Sequence, residues 1–349
     1  MKTIIKSLFT CFILLVSLNA YSQYTEVINS NRPGTSRSAF SVGTGVLQFE
    51  AGPYILKEEH SVANYEVSGF GVDFAARYGL FFEELEVNIE GIYQNDTYTD
   101  NRSTIPTDNK RSNFRNLAIG AKYLVYDPYK NAEEDKPNLY SWKANKKFKW
   151  KSLIPAVSMY AGVHIDSEKN PYIPYTAATA LTNNEGGISP RVLIATQNNL
   201  AGGWVFVMNF IKDRIGKDAT DFQYIFTLTH SFHPNWAIFA EAHGIKGDYS
   251  DNLFRFGGAY LFGPDFQLDT AITLNTKDTP SVFNATLGAS YRFDFHKDKE
   301  DNGTSAEDEA ERKENRKKSK KDKKKDKAEK KKAKKAKKKD TDFDDDGGL

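Results

Sequence analysis

His230 and Ser231 are the nearest approach in this sequence to a nucleophile beside its base. On an extended strand consecutive side chains point to opposite faces, so neighbours in sequence are badly placed for proton transfer. His164, His233 and His243 have no Ser or Asp at a diagnostic spacing and read as structural histidines near a rim. The sequence carries no P-loop, no dinucleotide fingerprint and no HExxH pair. Gly202-Gly203 and Gly257-Gly258 suit turns or close strand contacts better than a phosphate. Cys11 is the only cysteine and falls in the leader, so the mature chain is expected to hold neither a disulfide nor a thiolate metal site. The residue types therefore predict no cofactor, no metal and no catalytic residue. A hydrolase using Ser231 and His230 is the weakest reading.

The chemistry that is legible is electrostatic. Arg77 and Glu84 flank a tight turn, Asp269 and Arg292 lie on adjacent strands near one end, and Glu241 and Arg255 lie nearer mid-height on another neighbouring pair. All six fall on the polar phase of their strands. As cross-strand opposite charges they would brace the wall. Alternatively, they would set up a transverse field selecting charged solutes.

The elements that position them follow from the pattern. Between residues 45 and 295 apolar residues recur every second position in segments of about ten residues. Phe283, Ala285, Leu287, Ala289, Tyr291, Phe293 and Phe295 oppose Asn284, Thr286, Gly288, Ser290, Arg292 and Asp294. Leu85, Val87 and Ile89 likewise oppose Glu84, Glu86, Asn88 and Glu90. Such strands pack as a soluble sandwich or close into a barrel with the apolar face on lipid. The segments number about twelve: 45–54, 65–78, 84–94, 114–126, 152–164, 190–199, 204–211, 221–231, 236–245, 252–261, 266–275 and 282–295. Their linkers alternate between tight and long, and 95–113 and 165–189 are long and polar. That alternation fits an all-β, antiparallel up-and-down transmembrane β-barrel. The lysine-rich connection 127–151 breaks it, either as a flap or as a hidden strand. Trp204, Trp236 and Phe266 each open a strand after a turn. They read as ordinary hairpin periodicity or, preferably, as an interfacial girdle.

Compartment comes from the ends. Lys2 and Lys6 precede the apolar run Leu8 to Leu18, and Ala20-Tyr21-Ser22 supplies a cleavage site, so residues 1–22 are expected to be a removed signal peptide. A retained anchor or a lipidated Cys11 are its rivals. Residues 23–44 are expected to lie in the lumen as a partial plug or to hang in the periplasm. Residues 45–295 form the barrel, and residues 296–349 a charged tail. The formal charge of the whole chain is +2, yet residues 312–339 alone hold 19 Lys/Arg against 4 Asp/Glu. Such a run reads as a disordered periplasmic extension. Its candidate partners are inner-leaflet lipid headgroups, the cell wall or an anionic periplasmic protein. Export argues against nucleic acid.

Asn31-Arg32-Pro33-Gly34-Thr35-Ser36, followed by Ser41-Val42-Gly43-Thr44-Gly45-Val46-Leu47-Gln48-Phe49-Glu50-Ala51-Gly52, resembles the opening of the outer-membrane family labelled putative MetA-pathway of phenol degradation. Arg77-Tyr78-Gly79-Leu80 with Glu84-Leu85 resembles its second signature. Glu86 departs from the family pattern, which usually has Arg there. That family is similar to the twelve-stranded porin that exports functional amyloid subunits, so the resemblance implies a transporter-like barrel and no catalytic residues.

The sequence thus predicts an outer-membrane channel that passes small or extended solutes, surrounded by outer-membrane lipid. The second reading is a closed barrel serving as a structural tether or surface-binding protein. Whether the outer loop 166–190 constricts the pore or moves freely above it stays open.

Overall fold

The computed structural model describes residues 27–129, 153–168, 170–172, 186–217, 220–247 and 249–295. The leader, most of the lysine-rich connection and the charged tail lie outside the described residues.

Twelve antiparallel strands close into one barrel in sequence order, with the first paired to the last. They are β1 (Val46–His60), β2 (Tyr65–Gly79), β3 (Leu85–Asp100), β4 (Thr107–Tyr126), β5 (Ala156–Asp166) and β6 (Gly187–Leu200). The circuit continues with β7 (Trp204–Asp213), β8 (Asp221–His233), β9 (Trp236–Lys246), β10 (Asp251–Phe262), β11 (Phe266–Asn275) and β12 (Ser281–Asp294). Closure pairs every strand on both edges, which removes the exposed backbone donors and acceptors that hydrocarbon cannot satisfy.

Each predicted strand is present, but the boundaries differ where composition is polar on both faces. The expected loop 95–113 is instead mostly strand: β3 runs to Asp100 and β4 starts at Thr107. Tyr98, Thr99, Asn109 and Lys110 keep the ladder going where there is no apolar face to reveal it.

A bulge also breaks the phase of β4. Ile92 pairs with Asn116 while Tyr93 pairs with Phe114, so Arg115 is the extra residue. Two residues opposing one lets both Arg115 and Asn116 reach the inner side.

The two faces of the wall are chemically opposite. Outward residues such as Ile55, Phe70, Ile194 and Leu287 are among the exposed large hydrophobics, whereas inward Gln48, Arg77, Glu86, Lys122 and Thr273 are buried. In water such a belt would leave each large side chain about 1.5–3 kcal/mol short of its burial free energy. Lipid removes that cost. The belt therefore spans a bilayer with strands, and no helix among the described residues is long and apolar enough to do so.

The inner face is not uniformly polar: Tyr160, Leu193, Ala195, Ile211 and Ile225 form a buried apolar cluster on β5 to β8. These inward residues pack on one another, and the Arg37 guanidinium lies over the Tyr160 ring, so the cluster does not face bulk water.

Candidate functional site

The lumen is occupied by the chain's own residues 28–44, held between the turn ahead of β11 and the start of β1. At one end the Ile28 N–H donates to Pro264 O at 2.7 Å. At the other, the Gly45 N–H donates to Gly79 O at 3.1 Å, and β1 begins at Val46. Between these points the segment crosses the barrel and bonds to its wall on many sides.

Its apex is Asn31 to Arg37. Arg32 donates to Asp269 on β11 through Nε (3.3 Å) and Nη2 (3.1 Å), and pairs with Asp73 on β2. A notch admits that guanidinium. Gly52 on β1 and Gly288 on β12 have no side chains, and a Cβ at either would lie 2.0 or 2.1 Å from an Arg32 nitrogen. Thr35 donates its backbone N–H (2.9 Å) and its hydroxyl (2.5 Å) to the Glu241 carboxylate on β9. The Ser36 N–H joins them at 3.2 Å, so two consecutive amides cradle one carboxylate. Gly34 lies against the same carboxylate, and a Cβ there would lie 2.7 Å from Glu241 Oε2, so the carboxylate would have to shift.

The returning limb is held as firmly. Arg37 and Asn209 on β7 exchange two hydrogen bonds, and the Arg37 guanidinium pairs with Glu90 on β3. The Ser38 hydroxyl donates to Gln197 on β6 at 2.8 Å. Lys122 on β4 donates to the carbonyls of Ser38 and Phe40, each at 2.9 Å. The Val42 N–H donates to Glu86 at 3.1 Å. The segment chiefly donates and the wall chiefly accepts, through Glu50, Asp73, Glu86, Glu90, Glu241 and Asp269.

The sequence-selected charges lie on this inner wall, mostly with other partners than expected. Arg77 turns away from Glu84 to Glu86 (2.9 Å) and Glu50 (3.2 Å), and also donates to Asn29 O at 2.7 Å. Register is the reason: Arg77 sits opposite Asn88, so the inward residue on its diagonal is Glu86. Asp269 is taken by Arg32, and Arg292 by Asp294 at 2.9 Å, because Asp269 lies opposite Gly288 rather than Arg292. Glu241 and Arg255 do face each other across β9 and β10, with 3.7 Å between charges. Glu86 lies between Arg77 and Lys122.

At the other end of the barrel Tyr172, between β5 and β6, folds against the inner wall. Its hydroxyl donates to Gln94 O at 3.2 Å, and the Arg111 guanidinium lies 5.2 Å from both the Tyr172 and Tyr98 rings. The remainder of the outer loop, 173–185, lies outside the described residues.

His230 and Ser231 do not form a nucleophile and base pair. His230 stacks on Trp204 at 4.1 Å on the outer face, and Ser231 follows on the opposite phase. His164 does have acidic neighbours the spacing did not suggest: Asp213 at 3.2 Å and Asp166 at 3.1 Å. Asp166 lies two residues along the same strand face, a signal that was there to be read.

Trp236 and Phe266 belong to a run of outer-face rings at the strand ends near the chain's entry into the lumen. Trp236 meets Tyr260 at 4.6 Å, Phe262 meets Phe266 at 5.8 Å, Phe266 meets Tyr291 at 6.2 Å, and Phe293 meets Phe49 at 6.1 Å.

A closed, twelve-stranded antiparallel barrel with an apolar exterior and a charged, self-occupied interior is an outer-membrane β-barrel of the channel type. The chain belongs to the family described as Putative MetA-pathway of phenol degradation, which matches residues 30–293. That match begins inside the luminal segment and ends on the last strand. Among solved structures, an outer-membrane channel from Pseudomonas putida F1 is 11% identical and aligns over 76% of this chain and 100% of its own, with a TM-score of 0.46. The Pseudomonas putida toluene transporter TodX is 8% identical over 78% and 98%, with a TM-score of 0.41. The KdgM porin is 10% identical over 70% and 99%, with a TM-score of 0.38. No curated protein matches the chain.

Proposed function

We propose that the protein is a passive outer-membrane channel for small or extended solutes, with no catalytic step, whose resting state is closed by residues 28–44. One observation carries the reading: hydrogen bonds from this segment reach strands on opposite sides of the lumen, from Glu86 on β3 to Glu241 on β9. A segment so bonded crosses the lumen from wall to wall. Passage then requires it to shift, which makes the segment a gate. The end of the barrel carrying the short turns faces the periplasm in this reading. The rings around Trp236 and Phe266, with Trp204, sit at headgroup level, where amphipathic aromatics are favoured.

Planar-bilayer conductance tests it. The native protein should be mostly silent with rare openings, and Glu241→Ala, which removes the acceptor of the apex, should open far more often. A folded Glu241→Ala barrel that stays silent would overturn the gate. It would favour the second reading, a closed barrel serving as a structural tether, which the same occlusion supports.

A further inference from the structure

Beside the apex of the luminal segment is a cavity of about 230 Å³, lined by strands from around the barrel. It is smaller than pockets that take drug-sized ligands, which run from about 300 Å³ upward, so its occupant is small. Its lining is of two kinds. Five arginines face three carboxylates, and the carboxylates are shared out thinly. Glu90 is divided between Arg37 and Arg191, with Arg191 Nη1 at 3.2 Å. Asp213, 3.5 Å from Arg191, is also bonded by His164. The carboxylate nearest Arg255 is Glu241, at 3.7 Å, and its oxygens already accept from Thr35, Ser36 and Thr227.

Two guanidinium donors are nonetheless left over. Nη1 of Arg37 and Nε of Arg191 are buried without a hydrogen-bond partner among the described residues, and both side chains are more than nine-tenths buried. Leaving such donors unmet is costly, the more so for a charged group. An anion in the cavity would offset that cost. Next to these guanidiniums the wall turns apolar: Ile211 and Ile225 line the same space, and the Arg37 guanidinium lies 5.5 Å from the Tyr160 ring in their cluster.

We infer that this cavity is a binding site for a small amphipathic monocarboxylate, its charged end met by Arg37 and Arg191 and its apolar body lying on Ile211 and Ile225. The inference rests on the channel reading and names the class of solute that waits at the gate. A fork of guanidinium donors matches a carboxylate in shape as well as charge. A neutral alcohol of the same length would keep only the apolar contact, and an alkylammonium would meet repulsion.

Calorimetric titration of the detergent-solubilised full chain with hexanoate, hexan-1-ol and hexylamine separates these cases without altering the protein. Hexanoate should bind saturably, at least tenfold tighter than the alcohol, with the amine undetectable. Arg191→Gln, checked for folding by its migration before and after heating, should weaken hexanoate at least tenfold and leave hexan-1-ol within twofold. Equal binding of acid and alcohol, or none of the acid, overturns the inference. Since the titration needs no current, a folded Glu241→Ala barrel that stays silent while the native chain binds hexanoate tightly would overturn the channel and leave this site standing.

Discussion

Thr35 and Glu241 lie 206 positions apart in the sequence and are joined through both the backbone amide and the hydroxyl of the threonine. The carboxylate also takes the Ser36 amide and the Thr227 hydroxyl, so one wall residue holds the Thr35-Ser36 turn of the luminal segment. Hydrogen bonds to a charged group contribute about 1.5–3 kcal/mol. Glu241→Ala should therefore raise the open fraction at least tenfold in single-channel records, while β9 and β10 stay paired.

The Arg32 notch can be filled without deleting any polar group. Gly288→Val places a branched side chain where the guanidinium now passes between Gly52 and Gly288. The expected outcome is expulsion of Arg32 from Asp269 and Asp73, read as faster thiol labelling of a single cysteine at Ser30→Cys. The mature chain has no other cysteine to confuse the readout, since Cys11 falls in the expected leader. Unchanged labelling in a folded variant would show that the arginine does not hold the segment.

Glu86 sits between two buried cations, Arg77 at 2.9 Å and Lys122 at 3.4 Å. Removing one partner of a buried pair typically costs 3–5 kcal/mol, and Glu86→Ala should lose about that much in urea unfolding from lipid vesicles. Lys122→Met leaves the Arg77 to Glu86 bond in place. It should cost less than half as much in the same titration, yet still open the channel, because the ammonium also holds the carbonyls of Ser38 and Phe40.

At the strand ends, Trp236 lies on the outer face against Tyr260 at 4.6 Å. Aromatic pairs add about 0.5–1.5 kcal/mol beyond burial, and the ring's place at headgroup level should add to that. Trp236→Ala is expected to destabilise the folded barrel by about 1–2 kcal/mol in vesicles and to leave conductance unchanged. A conductance change with no loss of stability would count against a girdle.

Strand number and facing were legible because a bilayer imposes a strict period of two, as in Leu85, Val87 and Ile89 against Glu86, Asn88 and Glu90. Where both faces are polar the period carries no information, and the hairpin continuing past Asn95 to Asp100 has no apolar face to distinguish it from a loop. Charge partners depend on register. A shift of a single inward position separates the expected Arg77 to Glu84 brace from the observed bond to Glu86. The wall partners of the luminal segment were not legible in the sequence. Residues 31–36 stood out as a motif, but nothing in Asn-Arg-Pro-Gly-Thr-Ser says that its cradle closes on a glutamate far along the chain. Only a closed wall brings Glu241 to that spot.

The luminal segment passes directly into β1 at Val46, with the Gly45 amide pinned to Gly79. It is a stopper on a leash: once dislodged it cannot diffuse away. Resealing is then an intramolecular search at high effective concentration. Its rate should be indifferent to how many copies share the membrane and to any dilution of the surrounding medium.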